Sequence, residues 1–173
     1  MPTKMERLTL DNLRTDSLDS FIRRQEVTEC WRCIDGEWQL LPIAFTDDWD
    51  TGRRREKAAE MRQAIESGIP AFGAFDGDRL VGFALLGERL GSRKQYFVLD
   101  SFHVSAPYRG QGIGRKLFAA VSDAAREAGA EKLYISAHSS KESQAAYRAL
   151  GCVHAQEIDA AHAAAETCDV QME

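Results

Sequence analysis

The sequence predicts a single domain of mixed α/β class. From residue 71 onward, short β-prone runs alternate with stretches that have helical spacing of apolar residues. The chain has 173 residues, of which 44% are apolar, enough for one sizeable core but not for two. No internal repeat, low-complexity tract or flexible linker interrupts it. We therefore expect one continuous domain over residues 1–173.

Composition argues against several classes of partner. The formal net charge is −5, so no broad basic surface is expected to bind nucleic acid. No run approaches the roughly 20 apolar residues of a membrane span, and the first residues do not read as a secretory leader. We expect a cytoplasmic protein that binds neither nucleic acid nor membrane.

The four cysteines do not form a recognisable site. Cys30 and Cys33 make a C-x-x-C, but no second ligand pair follows at zinc spacing, and the pair does not open a helix after a strand. The motif lies in a β-prone segment, where the two side chains should point to opposite faces. We expect reduced packing residues and no metal.

The first 70 residues predict two helices around a hairpin. Residues 10–27 carry a helical stripe formed by Leu13, Leu18, Phe21 and Ile22, and Asp16 or Ser17 could be its N-cap. Residues 27–43 predict two strands that turn at Asp35-Gly36, with Trp31 and Trp38 as a cross-strand pair. A second helix is expected over residues 52–68.

The remaining residues predict a regular succession of strands and helices. Two strands turn at residues 76–78, and a third occupies residues 95–104. After them we expect, in order, a helix at 114–129, a strand at 132–138, a helix at 141–150 and two final strands near 152–158 and 167–173.

A glycine-rich segment between a strand and a helix is the most informative motif. Residues 105–118 read SAPYRGQGIGRKLF, and a loop that opens a helix in this way favours a phosphate, because unpaired amides and the positive helix end coincide. A Walker loop would need a serine or threonine after Lys116. A dinucleotide fingerprint would need G-x-G-x-x-G, whereas the glycines here fall at every second position.

The segment does match R-x-x-G-x-G at Arg109, Gly112 and Gly114, and it resembles the GCN5-related N-acetyltransferase (GNAT) superfamily. The strand LDSFHV, the strand LYISA and the helix ending AAYRALGC extend that resemblance over residues 71–152. It implies a mixed, mostly antiparallel sheet of six to seven strands splayed in a V, with about four helices on both faces. It also implies acetyl-CoA as co-substrate. Residues 71–152 would form the acetyl-CoA-binding core, residues 1–70 the acceptor side, and residues 153–173 a C-terminal strand pair.

The resemblance also carries over a set of binding residues. The loop amides would hold the diphosphate, with Arg109 as an extra charge at the rim, and strand backbone would bind the pantetheine arm. The backbone N–H near Val104 would polarise the thioester carbonyl. An asparagine common in the family before the last helix is missing, and two serines could replace it. The predicted cofactor-binding residues are Phe102, His103, Val104, Arg109, Gly110, Gln111, Gly112, Ile113, Gly114, Arg115, Ser140 and Ser143.

Four residues are candidates for proton transfer. By resemblance, the Tyr147 hydroxyl protonates the departing thiolate, although helical spacing with Leu150 would equally suit a packing role. The acceptor amine must lose a proton before it can attack, because its pKa lies near 10. Asp100 is the first candidate base, since strict alternation would place it on one face with Phe102. The other candidates are His138 and Glu88.

The expected reaction is direct acetyl transfer to a primary amine, preferably of a small molecule rather than a peptide or protein. The acidic stretch FTDDWD at residues 45–50 could bind a cationic amine, or Asp50 could simply cap the next helix. Two other functions remain open: a non-catalytic acyl-CoA sensor and a nucleotide-phosphate binder. The final strand could also pair across a homodimer.

Overall fold

Alternating strands and helices build two layers of packing around one sheet. The computed structural model describes residues 2–173. The strands are β1 Lys4–Arg7, β2 Arg24–Ile34, β3 Glu37–Asp48, β4 Ala71–Asp76, β5 Arg79–Leu90, β6 Tyr96–Val104, β7 Lys132–Ala137 and β8 Val170–Met172. The helices are α1 Thr51–Glu66, α2 Ile113–Glu127, α3 Lys141–Ala149 and α4 Ala160–Ala165.

The main sheet has six strands in the order β1-β4-β5-β6-β7-β8, and β2 and β3 pair separately as a hairpin. All neighbours in the main sheet are antiparallel except β6 and β7. This confirms the predicted mixed, mostly antiparallel fold class. None of the helices within residues 2–173 has the length and apolar character needed to cross a membrane.

Two apolar cores lie on opposite faces of the sheet. On one face, which we call the α2 face, Ile113, Leu117 and Val121 of α2 pack with Phe102 and Val104 of β6. On the other, the α1 face, Ala58 and Met61 of α1 pack with Phe83 and other buried side chains. Strand β6 is therefore shared between two differently built surfaces.

The predicted helix over residues 10–27 is wrong. Residues 10–20 form turns, and the chain is already extended in β2 from Arg24. Side chains satisfy the backbone locally: the Thr9 amide donates to Asn12 Oδ1 (2.8 Å), and the Arg14 amide donates to Ser17 Oγ (2.8 Å). The apolar stripe is nevertheless real, since three of its four members are fully buried: Leu13, Leu18 and Phe21.

The predicted hairpin and second helix are confirmed. Asp35 and Gly36 both have positive φ (51° and 81°), as a tight hairpin turn requires. The tryptophans are not a directly opposed pair: Trp31 faces Leu40, and Trp38 faces Cys33. Helix α1 begins after Asp50, whose carboxylate accepts from the Arg53 amide (2.7 Å).

The C-terminal prediction needs one correction. In place of a strand near residues 152–158 there is an isolated bridge at His154, followed by the short helix α4. Strand β8 pairs with β7 along one edge, and the segment beginning at Val153 covers its other edge. The final strand that could have paired across a dimer therefore has partners within its own chain.

Candidate active site

The parallel pair β6–β7 separates part way along its length. It is paired only at Tyr96–Lys132, Phe97–Leu133 and Val98–Tyr134. Beyond this point β6 continues beside β5, while β7 pairs with β8. The second half of β6 therefore presents a free edge to an opening between the two strands. This is the V-shaped splay that the family resemblance predicted.

A β-bulge at Asp100 sets which side chains flank this opening. Leu85 pairs with Ser101 and Leu86 with Leu99, so Asp100 has no partner on β5. The extra residue interrupts the alternation: Val98 packs with Tyr96 in a separate cluster, whereas Phe102 packs on the α2 face. The prediction that Val98, Asp100 and Phe102 share one face is therefore wrong.

The opening between the strands continues into a cleft of about 610 Å³. Its walls come from the start of β2, the end of β6, the glycine loop and helix α3. The sequence predicted the last three elements. The contribution of β2 follows from the hairpin, which crosses the opening and pairs through Cys30 with Ser140 at the start of α3.

The glycine loop leaves its amides available at the cleft. Gly110 and Gly112 have positive φ (76° and 81°), and a Cβ at either position would enter open space. The first main-chain bond of α2 runs from the Lys116 amide to the Gly112 carbonyl. The amides that precede Lys116 in the first turn of the helix therefore have no helical acceptor and suit a phosphate.

The loop side chains play more varied parts than the motif suggests. Arg115 and Gly114 line the cleft. The Gln111 side chain instead donates to the Pro107 carbonyl (3.1 Å), and Ile113 is buried in the core. Only the main chains of Gln111 and Ile113 are therefore free to bind a ligand.

Arg109 lines the cleft, and its side chain is hydrogen-bonded to the main chains of two strands. Its Nε donates to the Val104 carbonyl (3.0 Å), and its Nη1 donates to the Arg24 carbonyl (2.8 Å). Burial and the nearby charge of Arg23 lower the pKa of Arg109. The guanidinium predicted at the phosphate rim thus holds the end of β6 against the start of β2.

The three predicted backbone residues of β6 differ in orientation. The Ser105 amide donates to Val81 of β5 (2.8 Å), and alternation along the strand then directs the main chain of His103 to β5 as well. The main chains of Phe102 and Val104 consequently face the opening. Backbone binding is therefore available at Phe102 and at the amide of Val104, whose carbonyl already accepts from Arg109, but not at His103.

Tyr147 lies in the wall that α3 contributes to the cleft. Its ring is partly buried, with its centroid 6.1 Å from that of Phe102. Burial, reinforced by nearby Cys152 and Asp169, raises the pKa of Tyr147 well above its usual range. The hydroxyl therefore keeps its proton at neutral pH, as a proton donor must.

Only one of the three candidate bases lines the cleft. Asp100 is exposed at the bulge and Glu88 is exposed on β5, and neither belongs to the cleft wall. His138 does line the cleft, and its Nδ1 accepts from the Ser140 amide (3.1 Å). A neutral His138 ring with this bond holds its proton on Nε2 and cannot accept another there.

The two candidate serines are already engaged by a residue that the sequence did not indicate. Ser140 is fully buried and caps α3 by accepting from the Ser143 amide (3.2 Å). Gln25 donates to both hydroxyls, at 2.9 Å and 3.3 Å. Ser143 and Gln25 line the cleft, whereas Ser140 supports them from behind.

A second group of residues missed by the sequence surrounds His103. Arg23 donates from Nε to His103 Nδ1 (3.1 Å), and its Nη2 lies 3.3 Å from Asp47 Oδ2. Trp49 and Phe83 pack edge-on against the imidazole. Burial, followed by the charges of Arg23 and other nearby cations, holds the pKa of His103 well below its ordinary value.

The acidic stretch at residues 45–50 is used within the chain. Asp47 pairs with Arg23, Asp48 lies 3.8 Å from Arg24, and Asp50 caps α1. These contacts occupy the carboxylates that could have bound a cationic amine. Within residues 2–173 there is also no group of three or more His, Cys, Asp and Glu side chains arranged to hold a metal.

A split sheet, a glycine-rich loop and a partly buried tyrosine meet at one cleft, an arrangement that fits acetyl-CoA and an acyltransferase that uses it. The family model described as Acetyltransferase (GNAT) family matches residues 34–152. The chain belongs to this family, whose members are N-acetyltransferases and whose co-substrate is acetyl-CoA. No curated protein matches the sequence.

Several solved structures share the fold at low sequence identity. Nourseothricin acetyltransferase is 16% identical with a TM-score of 0.72, covering 99% of this chain and 97% of its own. The PaiA N-acetyltransferase of Thermoplasma acidophilum in complex with coenzyme A is 15% identical with a TM-score of 0.62, covering 99% and 98%. A ribosomal-protein-alanine N-acetyltransferase of Brucella melitensis biovar Abortus is 16% identical with a TM-score of 0.57, covering 92% and 96%.

Proposed function

We propose that this chain transfers an acetyl group from acetyl-CoA directly to a primary amine of a small molecule. The observation that carries the proposal is the separation of β6 from β7 beside the glycine loop. It gives one cleft access to free backbone of β6, to the start of α2 and to Tyr147. Nourseothricin acetyltransferase, which has the same fold, is named for a small-molecule substrate.

The cysteines favour direct transfer over a covalent enzyme intermediate. Within residues 2–173, no cysteine belongs to the cleft wall. Cys152 lines a different groove, and burial raises the pKa of its thiol to about 11. Because the thiolate is the reactive form, such a thiol is a poor acyl carrier at neutral pH.

The proposed roles divide between main chain and side chain. Loop amides from Gly110 to Arg115 hold the diphosphate, and the main chains of Phe102 and Val104 hold the pantetheine arm as an added strand would. When bound, acetyl-CoA supplies the thioester as acetyl donor. The Val104 amide then stabilises the developing negative charge on the carbonyl oxygen. Tyr147 donates its proton to the sulfur that leaves.

None of the three bases predicted from the sequence meets the geometric requirement for removing the amine proton. Asp100 and Glu88 lie outside the cleft wall. We propose that His138 donates from Nε2 to hold the acceptor or a water molecule. The proton then passes to solvent through the open cleft. Residues 1–70 would form the acceptor side, with β2 as its nearest wall.

Two measurements test this proposal together. Calorimetry should detect binding of coenzyme A, and ATP should not compete with it. Thiol release from acetyl-CoA should then rise with at least one member of a panel of amino acids, polyamines, aminoglycosides and peptides. Binding without turnover by any amine would indicate an acyl-CoA sensor, and displacement by ATP would indicate a nucleotide-phosphate binder.

A further inference from the structure

Arg23 is a buried cation with an unused donor beside the cleft. Its side chain is only 11% exposed and forms part of the cleft wall. His103 fixes Nε, Asp47 contacts Nη2, and the ring of Trp49 lies 6.0 Å from the guanidinium carbon. Nη1 is buried and has no hydrogen-bond partner in the described part of the chain. A buried charged donor without an acceptor is costly, so this geometry calls for one from a ligand.

Cations outnumber carboxylates in the cleft wall, where four arginines lie with only Glu26 and Glu142 as negatively charged residues. Arg109 also lines the cleft, and within residues 2–173 it forms no ion pair with a carboxylate. Lys57, whose side chain is 12% exposed, donates to Ser101 Oγ (2.7 Å) on the same strand as His103 and is paired with Glu60 at 3.5 Å. Asp47, whose side chain is 38% exposed, is the one carboxylate that contacts Arg23. A negatively charged group would balance this charge.

The position of Arg23 separates it from the expected diphosphate site. Its partner His103 packs against Phe83 and Trp49, which belong to the core on the α1 face. The glycine loop opens helix α2, whose core residues lie on the opposite face of the sheet. The Arg23 cluster therefore lies on the side of β6 opposite to helix α2, from which an acceptor rather than the diphosphate would approach the opening.

We propose that Arg23 binds a carboxylate of the acceptor, so that the substrate is a primary amine that also carries a carboxylate, as an amino acid does. The proposal rests on the proposed acetyl transfer. Nη1 would donate to the carboxylate, while His103 and Asp47 keep the guanidinium in place. Charge-assisted hydrogen bonds of this kind are the stronger ones in proteins. The amine would then lie at the opening between β6 and β7.

Matched substrate pairs test the assignment. Each amino acid in a panel is compared with its amide, which keeps the amine and removes the carboxylate, using glycine, β-alanine, lysine and phenylalanine. For the wild type we expect kcat/KM to favour the best acid over its amide. In Arg23→Gln the ratio of acid to amide should fall by about tenfold or more. Comparing the ratio between variants cancels the difference in amine pKa between acid and amide.

Controls separate substrate binding from a structural role. Arg126→Gln removes one positive charge from an exposed site on α2 outside the cleft wall and should leave the ratio unchanged. The affinity of Arg23→Gln for coenzyme A should stay within about twofold of the wild type. An equal loss with acid and amide would assign Arg23 a structural role. If Arg23→Gln lost affinity for coenzyme A but not for pantetheine, the anion that Arg23 binds would be a phosphate of the co-substrate.

Failure of this proposal is distinguishable from failure of the proposed function. If the wild type acetylates amines but the acid-to-amide ratio of kcat/KM is the same in Arg23→Gln, the carboxylate assignment is overturned and acetyl transfer stands. If the wild type binds no coenzyme A, the proposed function is overturned, and the acceptor assignment falls with it.

Discussion

The two faces of strand β6 present positive charge in different ways. On the α2 face, the glycine loop offers amides at the start of a helix, with no cation required. On the α1 face, Arg23 and His103 form a side-chain cluster held together by hydrogen bonds. The first arrangement is built from one continuous segment. The second joins residues that are 80 positions apart, so it depends on the whole fold.

This difference has an energetic counterpart. A residue in the loop has a main-chain amide whatever side chain it carries. The amide site is therefore sensitive to backbone conformation and tolerant of most side-chain changes. A guanidinium in the interior must be desolvated, and its orientation depends on every neighbour that contacts it. We therefore expect backbone substitutions to damage the α2 face and side-chain substitutions to damage the α1 face.

The largest expected effect comes from Tyr147→Phe on the α2 side of the opening. Loss of the hydroxyl should lower kcat by about 10² to 10⁴ because general-acid catalysis contributes that much. Coenzyme A affinity should change little, since the ring still packs near Phe102. Steady-state kinetics and calorimetry measure the two quantities.

Tyr134→Phe is the matched control for this substitution. Tyr134 is fully buried, and its hydroxyl donates to Gln171 (2.6 Å), away from the cleft wall. It should lower stability and leave kcat close to the wild-type value. Comparable kcat for Tyr147→Phe and the wild type would overturn the acid role.

Gly112→Ala should give the next largest effect. The positive φ at this position costs an L residue about 1–2 kcal/mol, and relief of that strain would move the loop amides. We expect coenzyme A affinity to fall about tenfold or more, as measured by calorimetry. Gly129→Ala has a similar φ of 86° with open space at its Cβ, but it follows the other end of α2. It should cost similar stability without weakening coenzyme A binding, and equal binding losses would contradict the amide site.

A pH dependence of stability should report on the α1 face. The unfolded chain binds a proton at His103 near pH 6.5, whereas burial and nearby cations keep the folded imidazole neutral below that pH. Because the unfolded state then binds more protons, the free energy of unfolding should fall as pH drops below about 6.5, by up to roughly 1.4 kcal/mol per pH unit. Urea unfolding between about pH 7.5 and pH 5.5 measures this slope.

His103→Gln should flatten that slope, since glutamine does not titrate. His154→Gln is the comparison variant, because His154 is exposed and contacts the ring of Trp38 at the surface. It should leave the slope near that of the wild type. An unchanged slope in His103→Gln would show that other groups cause the pH dependence.

The smallest expected effect distinguishes a helix cap from a ligand contact. Ser140→Ala removes the N-cap of α3 and should lower the free energy of unfolding by about 1 kcal/mol. The KM for acetyl-CoA should rise only slightly, because Ser140 does not belong to the cleft wall. Ser122→Ala, which removes a hydroxyl bonded to a carbonyl within α2, should cost less stability. A large rise in KM with Ser140→Ala would restore the direct contact that the sequence suggested.

How well each feature could be predicted depends on how local its cause is. The glycine loop, the Asp35-Gly36 turn and the Asp50 cap are set by neighbouring residues, and the structure contains all three. The turn region of residues 10–20 has an apolar stripe that suggests a helix. Its polar side chains bond to the backbone and prevent one. Local pattern and local hydrogen bonding compete there, and the pattern alone could not decide between them.

Non-local features could not be predicted in this way. Arg23 is one of several arginines in the first 70 residues, and nothing near it in the sequence indicates that it meets His103. Gln25 reaches Ser140 only because the hairpin crosses the opening. The bulge at Asp100 leaves no mark in the sequence, so the expected alternation placed that carboxylate on the wrong face.

That bulge allows β6 to carry one residue more than its pairing with β5 needs. Leu99 and Phe102 lie on the same side of the sheet although they are three residues apart. If Asp100 were deleted, they would be two residues apart, and regular pleating would keep both on that side and His103 on the other. A straight strand of the present length would instead move Phe102 to the arginine cluster and His103 to the side of Tyr147.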